Sequence, residues 1–173
     1  IIVIFGFFFA TVSSRLVGLI GSSNNPVSGM TIAALLITSI LIKAMGNTGH
    51  DGMLMAISIG TVICVIAAIS GDTSQDLKTG FLVGATPYKQ QIGELIGVAV
   101  SALVIGAILW LLDSSWGYGT EELPAPQGIL MKLIIEGVMG GSLPWGLVFA
   151  GAFIAIVVEI LGIPVLPFAV GLY

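Results

Sequence analysis

The stretch IIVIFGFFFATVSSRLVGLI, residues 1–20, carries Arg15 as its one charged residue. At about 1.5 Å per residue, a helix of this length reaches roughly 30 Å, the thickness of the hydrocarbon core of a bilayer. Similar apolar blocks recur along the chain. This pattern is typical of helices that cross a membrane.

The composition supports the same interpretation. Of the 173 residues 57% are hydrophobic and only 8% are charged, whereas soluble domains carry about 25% charged residues. A water-facing surface cannot be built from so few charges, so we predict an all-α, polytopic transmembrane bundle. The five Lys and Arg residues are scattered, which argues against a nucleic-acid partner. The single cysteine, Cys64, excludes an internal disulfide framework.

We predict about five spanning helices and one short re-entrant or interfacial helix. The spans are residues 1–20, 26–45, 53–70, 92–112 and 145–162, and the short helix is 129–141. Asn25 is expected to cap the second span, with Pro26 as its first helical residue. Asp72 and Gln75 have capping-box spacing, so a further interfacial helix is expected before Pro87. Both ends lie in apolar sequence, and we expect residues 1–173 to be one transmembrane region of a longer chain.

The distribution of lysines predicts the orientation. Lys78 and Lys89 lie in the segment 71–91, whereas the segment 113–128 contains no basic residue. The positive-inside rule therefore places 71–91 in the cytoplasm and 113–128 outside, in a multi-pass protein of the cell membrane.

The polar stretch GSSNNPVSG, residues 21–29, interrupts two apolar blocks. Irregular backbone cannot face lipid, so this stretch must face water, protein or a cavity. Transporters often bind substrates at such helix breaks. The candidate substrate-binding residues are Ser22, Ser23, Asn24, Asn25, Ser28 and Gly29. The alternative is a plain tight turn at the membrane surface.

Three charged residues lie within or near the ends of spans: Arg15, Glu94 and Glu159. Intramembrane charges are costly and usually mark a cavity, a partner or a proton path. We therefore consider these three residues as candidates for proton coupling. The alternative is that each lies near an interface and reaches water or caps a helix.

A dense polar group is a candidate for a cytoplasmic gate: Asp72, Gln75, Asp76 and Lys78. The alternative is a capped interfacial helix with solvated charges. His50 and Asp51 are interpreted as exposed residues of the turn 46–52. One histidine does not make a metal site, and the catalytic motifs HExxH and GxSxG and a phosphate-binding glycine loop are missing from the sequence, so no enzyme activity or metal site is expected.

Several stretches resemble the oligopeptide transporter family, in particular its prokaryotic members and the yellow-stripe-like metal-chelate branch. They are GSSNNPVSGMTI (21–32), GDTSQDLKTG (71–80), GATP (84–87), KQQ (89–91), LPW (143–145) and FAVGLY (168–173). These segments spread over most of the chain.

The resemblance implies a proton-coupled importer of small oligopeptides or peptide-like metal chelates, of which this chain is a piece from the C-terminal half. The implied partners are the remainder of the transporter, the lipid bilayer and the substrate. No cofactor is implied, since a proton gradient supplies the driving force. The residues leave two alternatives open, a channel-like pore and a non-transporting membrane subunit that packs through its glycines.

Overall fold

The computed structural model describes residues 1–172, and the side chains of all of these except Leu166, Pro167, Val170 and Leu172. Tyr173, the last residue of the family-like ending, lies outside the described residues. Seven α-helices follow one another: α1 (Ile2–Ile20), α2 (Val27–Ala44), α3 (His50–Val83), α4 (Pro87–Ser115), α5 (Pro126–Gly140), α6 (Trp145–Ile160) and α7 (Val165–Leu172). Residues 1–172 contain no strand. The prediction of a polytopic helical bundle is confirmed.

Four helices, α1 to α4, are long and apolar enough to cross a membrane. The helices α5 and α6 pass that test only as a pair, and they are bent by 115° at the break between them. The prediction that 145–162 forms a full span is wrong, because α6 has 16 residues and reaches only about 24 Å. The short helix is confirmed, although it begins at Pro126.

The core is built around α3. Ser13 of α1 contacts Ala67, and the break after α1 contacts Gln75, so α1 runs parallel to α3. Conversely, α2 is antiparallel to α3, since Leu35 packs on Gly60 and Ile42 lies near Gly52. Small residues on α3 allow these close approaches, as they commonly do in membrane bundles.

The predicted end of a helix near Ser70 is wrong. Instead, α3 continues through the polar segment to Val83, with 34 residues and a length of about 51 Å. Asp72 therefore caps no helix, and no separate interfacial helix precedes Pro87. The segment contains no proline, and Gly71 keeps helical geometry. The helix ends only at Gly84, which has φ 76°, the left-handed conformation typical of a glycine C-cap.

The turn before α3 is also shorter than predicted. Gly49 is the N-cap, so His50 and Asp51 belong to the first helical turn, and both are exposed. Asp51 lies where the partial positive charge of the helix N-terminus favours a carboxylate.

Candidate functional site

The polar break between α1 and α2 has a defined backbone. Gly21 ends α1 with φ 79°, and Ser22–Asn24 form a single 3-10 turn. The amide of Val27 donates to the carbonyl of Asn25 at 2.8 Å, which makes a tight γ-type turn at Pro26. The predicted cap is wrong by one residue: Pro26 is the N-cap, and α2 begins at Val27.

Asn25 does not cap α2 because its side chain is used elsewhere. Its Nδ2 donates to Oγ of Ser13 at 2.8 Å, and the Ser13 hydroxyl donates to the carbonyl of Ala67 at 2.5 Å. Oδ1 of Asn25 is buried and accepts no hydrogen bond from residues 1–172. Gly71 makes room for this cluster, since a Cβ there would lie 2.5 Å from Nδ2 of Asn25. The break is therefore fixed against the middle of the bundle.

The break also brings two predicted groups together. The amide of Ser22, a candidate substrate-binding residue, donates to Oε1 of Gln75, a candidate gate residue, at 2.7 Å. Ser22, Asn25 and Ser28 are half-buried. The other candidates at the break, Ser23, Asn24 and Gly29, are exposed. The break thus exposes polar groups, while the hydrogen bonds of Ser22 and Asn25 fix its backbone against α3 and α1.

A second polar position lies between α3 and α4. The hydroxyl of Thr73 donates to Oε2 of Glu94 at 2.9 Å. The other carboxylate oxygen, Oε1, is buried and has no hydrogen-bond partner within residues 1–172. One turn further along, Nε2 of Gln90 donates to the carbonyl of Asp76 at 3.1 Å. These contacts set the register of an antiparallel helical hairpin.

An open groove of about 860 Å³ runs along this hairpin. Its size is within the range of small-molecule sites. Its walls are mostly apolar, and its polar lining consists of Asp72, Thr73, Asp76, Glu94 and Ser101. All three charged residues in the lining are acidic. The structure therefore places two gate candidates and one proton-coupling candidate in the same groove.

The other candidates lie elsewhere. Glu159 on α6 and Arg15 on α1 are exposed, and their side chains make no ion pair or hydrogen bond with the described residues. The ammonium of Lys78 lies 5.4 Å from the centre of the Phe81 ring, beyond the groove. Proton coupling by Arg15 or Glu159 stays a prediction from the sequence.

The remaining charged residues have local roles. Lys132 pairs with Glu136 at 3.8 Å on an exposed face of α5. Lys43 donates to the carbonyl of Val138 at 2.7 Å, near the C-terminus of α5, where a cation is favoured. Within the described part of the chain, no group of three or more His, Cys, Asp and Glu side chains could hold a metal ion.

Sequence reasoning missed four residues that position the candidates: Ser13, Gly71, Thr73 and Gln90. Ser13 lies in an apolar helix, and a buried hydroxyl there is a signal for an interhelical hydrogen bond. Thr73 and Gly71 fall inside the polar segment for which the sequence predicts a separate helix. Their partners become evident only once α1 and α4 are packed on α3.

Comparison with known proteins identifies relatives over the whole chain. The family model described as "OPT oligopeptide transporter protein" matches residues 1–173. A "Putative oligopeptide transporter" of Haemophilus influenzae is 34% identical over 99% of this chain and 32% of its own length. "Probable metal-nicotianamine transporter YSL8" of Arabidopsis thaliana is 32% identical over 60% of this chain and 15% of its own length. In Oryza sativa, "Probable metal-nicotianamine transporter YSL11" is 30% identical over 58% of this chain and 15% of its own length.

The chain thus spans about a third of the length of the Haemophilus protein, and its matches cover less of the plant proteins. No solved structure matches it significantly. The family match extends over every helix described above, including the break at 21–29 and the hairpin of α3 and α4. This chain belongs to the oligopeptide transporter family.

Proposed function

We propose that the protein is a secondary transporter that uses a proton gradient to import small oligopeptides or peptide-like metal chelates across the cell membrane. The family match supports transport, and the names of the relatives favour these two substrate classes. The proposal of proton coupling rests on the position of Glu94. Its carboxylate lies in the hairpin groove, and one of its oxygens accepts a hydrogen bond from Thr73.

In this proposal Glu94 takes up and releases the coupled proton. One of its oxygens is held by Thr73 and the other is buried without a partner. A group in that position can load a proton from one side and lose it when the groove is hydrated. Glu94 is preferred over Glu159 and Arg15, since those two side chains are exposed and lie outside the groove.

The break at 21–29 is proposed to hold the substrate. Its exposed Ser23, Asn24 and Gly29 offer a hydroxyl, an amide and bare backbone to a peptide-like ligand. The N-terminal amides of α2 point along the same break and favour a carboxylate. The contact between Ser22 and Gln75 connects this region to α3, so that ligand binding at the break can bias the position of the hairpin.

The gate in this proposal is formed by Asp72, Gln75 and Asp76, with Lys78 at its outer end. These residues lie on the part of α3 that runs past the break. Alternating access would move the hairpin relative to α1 and α2, as one bundle rocks against another in many carriers.

Uptake by the protein reconstituted in vesicles tests the proposal. With an inward proton gradient, a carrier accumulates labelled peptide or metal chelate above the external concentration, and a protonophore abolishes this accumulation. Equilibration that never exceeds the external concentration under the gradient would favour a channel. Absence of any uptake across a panel of di- to pentapeptides and metal chelates would favour a non-transporting subunit.

A further inference from the structure

We propose that the tip of the α3–α4 hairpin, residues 77–91, is an anchor that binds the anionic headgroup layer of the bilayer. The first observation is the length of the two helices. With 34 and 29 residues, α3 and α4 reach about 51 and 43 Å, whereas the hydrocarbon core is about 30 Å thick. The hairpin therefore extends well past the hydrocarbon on one side.

The side at which it extends follows from the register of the hairpin. Thr73 is level with Glu94, and residues 95–112 of α4, which contain no charged residue, run from there towards the C-terminus of the helix. Residues 74–83 of α3 thus continue about 15 Å beyond that level. This extension passes through the headgroup layer.

The tip exposes large apolar side chains. Phe81, Leu82 and Val83 are 72%, 71% and 76% exposed, and Tyr88 is 59% exposed. Contiguous exposed apolar groups usually mark an interaction surface. Side chains of an α-helix lean towards its N-terminus, and the N-terminus of α3 lies on the membrane side of the tip. Phe81, Leu82 and Val83 therefore lean back towards the bilayer.

The charge of the tip indicates that its binding partner is an anionic lipid surface. Residues 77–91 contain Lys78 and Lys89, which are two of the chain's five basic residues, and none of its nine acidic residues. Lys78 lies over the ring of Phe81 at 5.4 Å. Exposed aromatic and aliphatic groups flanked by lysines are the combination that binds the interfacial layer of an anionic leaflet. A protein partner would have to cover the same apolar groups and also supply acids for both lysines.

Hydrogen bonds and close packing hold the tip together as one rigid unit. The amide of Ala85 donates to the carbonyl of Gly80 at 2.8 Å. Gln90 bonds to the backbone of Asp76 and packs on Gly80, where a Cβ would collide with its amide group. Because the turn is ordered, little conformational entropy is lost when it docks on the bilayer.

A depth measurement tests the proposal. Leu82→Cys is made in a Cys64→Ser background, labelled with a nitroxide, and the protein is reconstituted in vesicles of phosphatidylcholine with or without phosphatidylglycerol. Collision with oxygen and with a water-soluble nickel chelate reports the depth of the label. We expect the label at position 82 to be protected from nickel compared with a reference label at Glu121→Cys, and more so in vesicles that contain phosphatidylglycerol.

Lysine variants separate electrostatics from packing. Each of Lys78→Gln and Lys89→Gln should lower the ratio of docked to free label in anionic vesicles by roughly fivefold, which corresponds to about 1 kcal/mol per lysine near an anionic surface. The matched control Lys132→Gln lies on the exposed face of α5 and should leave the ratio unchanged. Nickel accessibility equal to that of the reference label in both lipids would overturn the proposal. Protection that is independent of both lipid charge and the lysines would also overturn it, since it would indicate that protein covers the tip.

Discussion

Gly71 is the residue at which α1, the polar break and α3 meet most closely. A Cβ there would lie 2.5 Å from Nδ2 of Asn25, 2.9 Å from Cγ2 of Val17 and 3.0 Å from Oγ of Ser13. We predict that Gly71→Ala destabilises the protein by about 1–3 kcal/mol, the usual cost of overpacking. Thermal unfolding in detergent measures this effect.

The matched control is Gly106→Ala on α4, where the added Cβ would have no neighbour within 4 Å apart from the adjacent residues and the backbone of α4 itself. Alanine is the better helix former there, so its midpoint should stay the same or rise. Equal losses of stability in the two variants would show that the close packing at Gly71 has been misjudged.

Asn25 and Asn24 are neighbours with different roles. Asn25 holds Ser13 at 2.8 Å, whereas the exposed Asn24 makes only a long contact of 3.4 Å to the carbonyl of Ile20. Asn25→Ala should therefore lower stability by about 0.5–1.5 kcal/mol, the net value of one hydrogen bond. Asn24→Ala should leave stability unchanged and, if the break holds the substrate, weaken substrate binding in a titration. Unchanged binding in Asn24→Ala would move the proposed site away from this side chain.

Glu94 and Glu159 were equal candidates in the sequence, and the structure separates them. Glu94 lies in the groove with Thr73, and Glu159 is exposed on α6. We predict that Glu94→Gln abolishes accumulation driven by a proton gradient while substrate exchange persists, because glutamine keeps the size of the side chain but cannot carry the proton. Glu159→Gln should accumulate substrate like the wild type. Full gradient-driven accumulation by Glu94→Gln would remove this residue from the coupling mechanism.

For single residues, the sequence predicted which side chains belong to the candidate site but not which residues they contact. A carboxylate within an apolar stretch, or a run of Ser and Asn between two such stretches, can be recognised in the sequence whatever the fold. That Ser13 meets Asn25, or that Thr73 meets Glu94, depends on how α1 and α4 pack on α3, and residue spacing alone does not determine that packing.

The element with the largest difference from prediction is α3. The polar residues from Asp72 to Lys78 suggested a new helix with its own cap, but the helix continues without a break. Ser74→Pro distinguishes the two arrangements. In a continuous helix it should cost about 3 kcal/mol or more, whereas in the first turn of a new helix it would be tolerated. Ser74→Ala is the control for loss of the hydroxyl, and unfolding midpoints of the two variants provide the comparison.

The apolar blocks predicted the elements better than their ends. A run of apolar residues as long as a bilayer is thick must form a helix, because lipid offers no partner for backbone groups. The residues at which the helices begin and end are indicated by weaker sequence signals, such as capping residues. Asp72 and Gln75 have the spacing of a cap but lie inside α3. By contrast, the bend of 115° between α5 and α6 falls between Gly141, which ends α5 with φ 77°, and Pro144, the N-cap of α6.

For the whole molecule, the most telling feature is the outer surface. No residue of α4 is buried, and α6 buries only Val158 among its described residues. Apolar helices with so little cover require lipid or further protein around them, which agrees with a membrane protein that spans about a third of its Haemophilus relative. The groove between α3 and α4 lies on this surface.

Proton movement driven by substrate is the most direct test of the central claim. The protein is reconstituted in vesicles that enclose a pH-sensitive dye, with equal pH on both sides and a clamped membrane potential, and a transported peptide or metal chelate is added outside. We predict that the lumen acidifies as substrate enters, and that Glu94→Gln takes up substrate without acidification. Substrate entry with no change of luminal pH in the wild-type protein would contradict a proton-coupled carrier.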